Sequence, residues 1–263
     1  MKLLRRIYRK LFPKPPARYA YSPDHNIITD YAEFSGLPVA EVEARLNSYK
    51  SLTKSEWEGL PEGDFGERAK VFYERSSYYI CDILWANTST RELVDKLDGY
   101  TPQILNSIRE TAGTKLIEFG GGTGAFCEIA ARMGKDVTYL DIPGQPAEFA
   151  KWRFAKYDLP VTIRLTTPGV LELDENYDVV FTDAVLEHLD DPYTPTRTLA
   201  DHLNPGGTFV MLVDLSGEEE DMPMHKDVDV VRLHAELEDA GLVNTYGRHT
   251  FASIWTRPRL KPS

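Results

Sequence analysis

From Lys115 onward, short apolar runs alternate with helical patterns, whereas residues 25–112 read as helices throughout. "KLIEF", "DVTYLD", "PVTIRL", "YDVVFTD" and "GTFVMLVD" predict strands. "GAFCEIAARMG", "QPAEFAKWRFAKY", "TPTRTLADHL" and "VDVVRLHAELEDAG" predict helices; in the first of them Phe126, Ile129, Ala130 and Met133 share one face. "VNTYG" and "FASIWTR" predict a terminal antiparallel hairpin. Strands that alternate with helices imply parallel pairing, with helices on both faces of the sheet. The fold class expected is therefore α/β, a Rossmann-like sheet preceded by an α-helical N-terminal region, with the boundary near Thr114.

Within the helical region, "NIITDYAEFSG" ends at Gly36, a C-cap signal. "PVAEVEARLNSY" carries Pro38 near its start and apolar residues at Val39, Val42 and Leu46. "ERAKVFYERSSYYICDILWAN" predicts one long helix rich in aromatics: Phe72, Tyr73, Tyr78, Tyr79 and Trp85. "TPQILNSIRET" predicts a last helix before the glycine cluster. At the start, Leu3, Leu4, Ile7, Tyr8, Leu11 and Phe12 fall at helical spacing before Pro13, Pro15 and Pro16. The segment lacks the continuous apolar region of a signal peptide. Two readings are open for it: residues 1–12 lie on an anionic membrane surface, or they dock their apolar stripe on protein. The domains expected are residues 1–18, a basic helix and Pro-rich linker; 19–113, a helical lid or substrate region; and 114–263, the Rossmann-like domain.

Charge narrows the partners. Residues 1–18 carry seven Lys or Arg and no acid; the chain totals −11, so the remainder carries −18. An acidic body is a poor match for phosphate backbones, which argues against nucleic acid. No apolar run approaches the roughly 20 residues of a membrane helix. Only two cysteines, Cys81 and Cys127, are present. That count implies no disulfide framework and no cysteine-built zinc site, and it suggests a reduced, cytoplasmic setting.

The stretch "KLIEFGGGTGAFCEIAARMG" carries the chemistry. Gly120, Gly122 and Gly124 give G-x-G-x-G, with Gly121 between them, and Ala125 also completes the looser dinucleotide pattern G-x-G-x-x-A. A glycine turn after a first strand lets backbone approach a ligand closely. Asp141 ends the second strand, about 20 residues past the first glycine, where a carboxylate can accept from ribose hydroxyls. Glu118 stands two residues before the cluster and places negative charge there, which suits a cationic ligand better than a pyrophosphate.

Taken in order, "EFGGGTG", "YLD", "VLEHLDDP" and "NPGG" resemble the class I S-adenosylmethionine-dependent methyltransferases, most of all their small-molecule branch. The resemblance runs from Lys115 to Pro258 and implies their seven-stranded sheet and S-adenosylmethionine as cofactor. It also implies residue roles. Gly120, Gly121, Gly122 and Gly124 would line the methionine part, and Glu118 would help hold its amino group. Asp141 would take the ribose hydroxyls, with Ile142 against the adenine. Asp183 and Ala184 would face the methionine end and the sulfonium. Family members often place an acid after the third strand; here the chain reads "RLTTPGVLEL", so Thr166 or Thr167 stands in.

Methyl transfer from a sulfonium is a direct displacement, so the protein mainly aligns the reactants. His188 is the first candidate base, because it follows the fourth strand and its ordinary pKa suits proton transfer. His225 in "MPMHKD" is the second. The alternative is that Glu187 and His188 only tie neighbouring loops together. Some relatives hold a metal through an acid three residues before the Glu of this pair; that position is Ala184, so no metal is expected.

An aromatic cover of Tyr73, Tyr78, Tyr79 and Trp85 would favour a hydrophobic, aromatic or sugar-like acceptor over a polyanion. The basic first segment would suit a lipid-linked or glycan acceptor at the inner membrane surface. A nicotinamide-dependent oxidoreductase and a non-catalytic cofactor-binding regulator are the alternative functions. Neither the acceptor nor the oligomeric state is legible.

Overall fold

Strand β1 (Lys115–Phe119) shows how the sheet divides its core. Its side chains alternate, so Leu116 and Glu118 point to one face and Ile117 and Phe119 to the other. All four are buried, as expected of a central parallel strand covered on both sides. The computed structural model describes residues 23–167, 170–216 and 222–259. The basic segment 1–18, and with it the expected N-terminal helix and linker, lies outside the described residues.

Around β1 stand β2 (Asp136–Asp141), β3 (Val161–Leu165), β4 (Tyr177–Asp183), β5 (Leu203–Leu212), β6 (Val243–Tyr246) and β7 (Ala252–Thr256). They form one seven-stranded sheet in the order β3-β2-β1-β4-β5-β7-β6. β1 to β5 pair parallel; β7 runs antiparallel between β5 and β6, which gives the expected terminal hairpin. The chain winds outward from β1 to β3, then returns to β4 on the other side of β1. That reversal opens a crevice beyond the carboxyl ends of β1 and β4.

Seven helices precede the sheet: α1 (Ile27–Ser35), α2 (Val39–Asn47), α3 (Tyr49–Glu58), α4 (Phe65–Arg75), α5 (Tyr79–Ala86), α6 (Thr90–Tyr100) and α7 (Gln103–Glu110), counting the described residues. α8 (Ala125–Arg132) and α9 (Gln145–Lys156) follow β1 and β2. α10 (Tyr193–Asp201) and α11 (Val230–Asp239) flank β5. On one face, Leu116, Val137, Tyr139, Phe181 and Leu212 share a core with α1 to α9. On the other, Ile117, Phe119, Val180, Phe209 and Trp255 pack against Leu199 of α10 and Leu233 and Leu237 of α11. The leading helices are thus fused to the sheet through one apolar core. No helix among the described residues is long and apolar enough to cross a membrane.

One expectation is corrected. The single long helix over "ERAKVFYERSSYYICDILWAN" is two helices, α4 and α5, broken at Ser76 with φ −60° and ψ 133°. The Ser76 hydroxyl accepts from the Tyr79 amide at 2.8 Å, and the Glu56 carboxylate accepts from the Ser76 hydroxyl and from the Ser77 amide. Serine side chains compete with helical hydrogen bonds in this way. Tyr73 and Tyr79 are six positions apart and would point to different sides of a continuous helix. The break brings their rings to 4.7 Å.

Candidate functional site

The glycine loop leaves β1 against the carboxyl end of the sheet. The Gly120 amide donates to the Leu140 carbonyl at 2.8 Å. Gly120 has φ +73°, and a Cβ there would meet Val185 Cγ2 at 2.3 Å. Both the left-handed backbone and the close approach require glycine. Gly120 and Gly122 line a large cavity. Gly121 and Gly124 do not: a Cβ on them would strike the Tyr139 ring at 2.4 Å and the Phe154 ring at 2.5 Å. These two let the loop settle on aromatic rings behind the cavity.

Asp141 ends β2 and faces the same cavity, together with Ile142, Pro143 and Gly144. Its Oδ2 accepts from the Gly122 amide at 2.8 Å and from the Tyr139 hydroxyl at 3.0 Å; its Oδ1 accepts from the Ile142 amide at 2.7 Å. Burial raises its carboxyl pKa, and those three bonds oppose the rise. Thr166 and Thr167 line the cavity beyond β3, but the Thr166 hydroxyl is already donated to the Val170 carbonyl.

Glu118 lies behind the glycines, 5% exposed, with its Oε2 lacking a hydrogen-bond partner among the described residues. Burial pushes its carboxyl up to about 8, against a hydrogen bond from Cys127. A buried carboxylate with one oxygen unmatched suits a cation rather than an anion nearby.

At the end of β4, Asp183 lines the cavity and pairs with Lys96 of α6, Nζ to Oδ2 at 3.2 Å. Ala184 follows with φ +55°, a costly conformation for alanine at a strand end. A short turn, Leu186–His188, carries the next groups. Glu187 Oε1 accepts from the Asp214 amide at 3.1 Å, and the Glu187 carbonyl accepts from the Lys226 amide at 2.9 Å. The loops after β4 and β5 are thereby tied together.

His188 and His225, far apart in sequence, come to 4.6 Å between ring centroids. His188 Nδ1 stands 2.7 Å from the Tyr73 hydroxyl, and Tyr79 packs edge-on at 5.9 Å. Burial, then His225, holds the His188 ring down at about 3, so it is neutral at ordinary pH. His225 Nδ1 lies 3.8 Å from Asp214 Oδ2. Among the described residues, no three His, Cys, Asp or Glu side chains are grouped so as to hold a metal ion.

Helices α4 and α5 roof these groups. A Cβ on Gly122 would meet Ile83 of α5 at 3.3 Å, and one on Gly144 would meet the Tyr73 carbonyl at 2.9 Å. Of the four aromatics expected as cover, Tyr73 and Tyr79 reach the site. Trp85 is 60% exposed at the rim, and Tyr78 sits under the Arg45 guanidinium, outside the lining. The cavity measures about 1770 Å³. Pockets for one small ligand run about 300–1,000 Å³, so there is room for a cofactor and an acceptor together.

Several participants carried too little signal in the sequence. Asp214 follows β5, and the strand-end rule that singled out Asp141 and Asp183 would have found it. Lys96 and Asp82 had no such signal, because helix-face position alone does not reveal a cavity. Arg153 of α9 is wholly buried behind the loop. It donates to the Thr123 carbonyl at 2.9 Å, Glu128 at 2.7 Å and Asp30 at 3.2 Å.

A family model described as "Methyltransferase domain" matches residues 89–258, which takes in α6 and α7 as well as the sheet. A ubiquinone biosynthesis O-methyltransferase from Proteus mirabilis is 38% identical over 117 residues, 42% of this chain and 48% of that one. Another of the same name, from Rhodopseudomonas palustris, is 25% identical over 181 residues, 68% of this chain and 65% of that one. The chain spans about half the length of the first curated relatives it matches. A solved structure from Galdieria sulphuraria, assigned to a sarcosine dimethylglycine methyltransferase, superposes with TM-score 0.51 at 15% identity, over 59% of this chain and 64% of that one. That likeness concerns the fold alone.

Proposed function

The chain belongs to the class I S-adenosylmethionine-dependent methyltransferases, and from that premise we propose that it moves the methyl group of S-adenosylmethionine to a hydroxyl oxygen of a small molecule. Bound here, the cofactor supplies a methyl group already activated on a sulfonium. The residues fit it: Gly120 and Gly122 offer backbone at close range, Asp141 would accept from the ribose hydroxyls, and Ile142 would lie against the adenine. Glu118 would act on the ammonium as a charge from behind the glycines, and Thr167 would edge the adenine side. Asp183 and Ala184, which line the cavity, would face the sulfonium end. A nicotinamide cofactor fits less well, since its pyrophosphate would approach Glu118. Gly121 and Gly124 support the loop from behind.

The observation that carries the acceptor chemistry is the Tyr73–His188 pair, 2.7 Å apart beside the end of β4. A neutral imidazole accepts a hydrogen bond from the acceptor hydroxyl and orients it, burial having weakened the ring as a base, and Tyr73 fixes the ring's orientation. The names of the relatives support oxygen as the acceptor atom. The apolar rim at the mouth, with Trp85, Tyr100 and Phe251 exposed, supports an acceptor with an aromatic or aliphatic part.

The test uses methyl-labelled S-adenosylmethionine and fractionated host extract. Label should enter a small-molecule fraction. His188→Gln should lower kcat about tenfold or more through lost orientation of the hydroxyl, with cofactor affinity unchanged. Because the ring is already neutral, the rate should show no histidine inflection near pH 6.5. A His188→Gln enzyme at full rate would mean that His188 does not orient the hydroxyl.

Glu118 makes a separate prediction. Its carboxyl is largely protonated at pH 7 without ligand, and an ammonium partner favours the ionised form. Cofactor binding should therefore tighten from pH 6 to pH 8 and release about one proton, as measured by calorimetry in buffers of different ionisation enthalpy. Glu118→Gln should abolish that dependence; an unchanged pH profile in the variant would assign the proton elsewhere.

A further inference from the structure

Among the described residues, ten carboxylates and three lysines line the cavity. Part of this excess is accounted for. Asp141 is held by Gly122, Tyr139 and Ile142 and would serve the ribose, and Asp183 is paired with Lys96. Asp190 is paired with Lys226, and beside Tyr73, Tyr79 and the two histidines stand Glu187, Asp82 of α5 and Asp214 after β5.

Glu187 is the telling member. It is 1% exposed and lines the cavity, and its Oε2 has no hydrogen-bond partner among the described residues. An unmatched carboxylate oxygen in a buried site is costly unless a ligand satisfies it. Lys96 is the cation that acts on it, and that ammonium is already paired with Asp183. Asp214 and Asp183 act on Glu187 as like charges, and Asp214 acts so on Asp82, which Lys50 opposes as a counter-charge. Burial accordingly pushes the Asp82 carboxyl up to about 6 and that of Glu187 up to about 8. Carboxylates gathered in a low-dielectric cleft attract a cation and repel an anion.

We propose that the methyl acceptor carries an amine, and that Glu187, Asp82 and Asp214 form the subsite for its ammonium group. The aromatic wall of Tyr73 and Tyr79 beside that subsite would take an aromatic or aliphatic body, with the hydroxyl turned to His188. Carboxylated and phosphorylated acceptors are excluded by the same field. The inference rests on the methyl-transfer reading of this cavity, but binding alone tests it.

Full-length protein saturated with S-adenosylhomocysteine is titrated at pH 8 with tyramine, 4-ethylphenol and 4-hydroxyphenylacetate, three phenols of one shape and different charge. Tyramine should bind about tenfold or more tighter than the acid, with 4-ethylphenol between them. The preference should shrink with added salt and fall about tenfold in Glu187→Gln, which keeps an oxygen for the Asp214 amide. Asp82→Asn is the second variant, on a different element. Equal affinities, a preference for the acid, no tyramine binding, or an amine preference that survives both variants would overturn the proposal. Failure to bind S-adenosylhomocysteine at all is a different result, and it would strike the cofactor reading instead.

Discussion

Replacing Arg153 with alanine should lower stability by about 3–5 kcal/mol, the cost of stranding buried partner charges. Glu128 and Asp30, 0% and 3% exposed, would lose the guanidinium that joins them. The Thr123 carbonyl, on the glycine loop, would lose its donor as well. At roughly 2–4 °C per kcal/mol for a chain of this size, the melting midpoint should fall on the order of 10 °C. His25 on Glu128, at 2.7 Å, and Lys156 on Asp30, at 3.0 Å, approach from less buried positions and would compensate only in part. Neutralising the stranded acids, with Glu128→Gln and Asp30→Asn added to Arg153→Ala, should recover much of the loss. A fall of under about 2 °C in the single variant, by calorimetry, would mean that water replaces the guanidinium and the network carries little.

Asp141→Ala should cost about 100-fold or more in affinity for S-adenosylmethionine. A carboxylate that accepts two ribose hydroxyls makes two charge-assisted hydrogen bonds, each worth about 1.5–3 kcal/mol. The Gly122 and Ile142 amides would also lose the acceptor that sets the loop. Calorimetric titration checks the figure, with a thermal midpoint to show that the variant is folded. A dissociation constant unchanged within a few-fold would place the ribose elsewhere in the cavity. The variant should also stop label transfer, which ties binding to turnover in one protein.

The legible parts of the site share one property: each is announced within a few residues. Gly120 and Gly122 follow an apolar strand directly, and Asp141 and Asp183 close strands. His188 sits just past β4 in the stretch "VLEHLDDP". The structure brings Gly120, Gly122, Asp141, Asp183, His188 and His225 to one cavity. Glu118, Gly121 and Gly124 stand behind it, a distinction that spacing cannot express, since neighbours on a loop face opposite ways. The break at Ser76 was hidden for another reason. "ERAKVFYERSSYYICDILWAN" has helical composition throughout, and the cap that interrupts it depends on Glu56, about 20 residues upstream.

The sequence by itself determined the alternation of strands and helices, the glycine turn and the acid ends of the strands, because periodicity and backbone freedom act locally along a chain. Only the tertiary structure decided which side chains meet. Tyr73 reaches His188 across 115 positions, Lys96 reaches Asp183 across 87, and Arg153 finds Asp30 across 123. Such contacts depend on how α1, α4 and α6 fold back onto the sheet. The charge of the cavity belongs to the same class. An excess of acid was visible in the total, but its concentration around the histidines arises where separate elements converge, and there low polarity amplifies every unpaired charge.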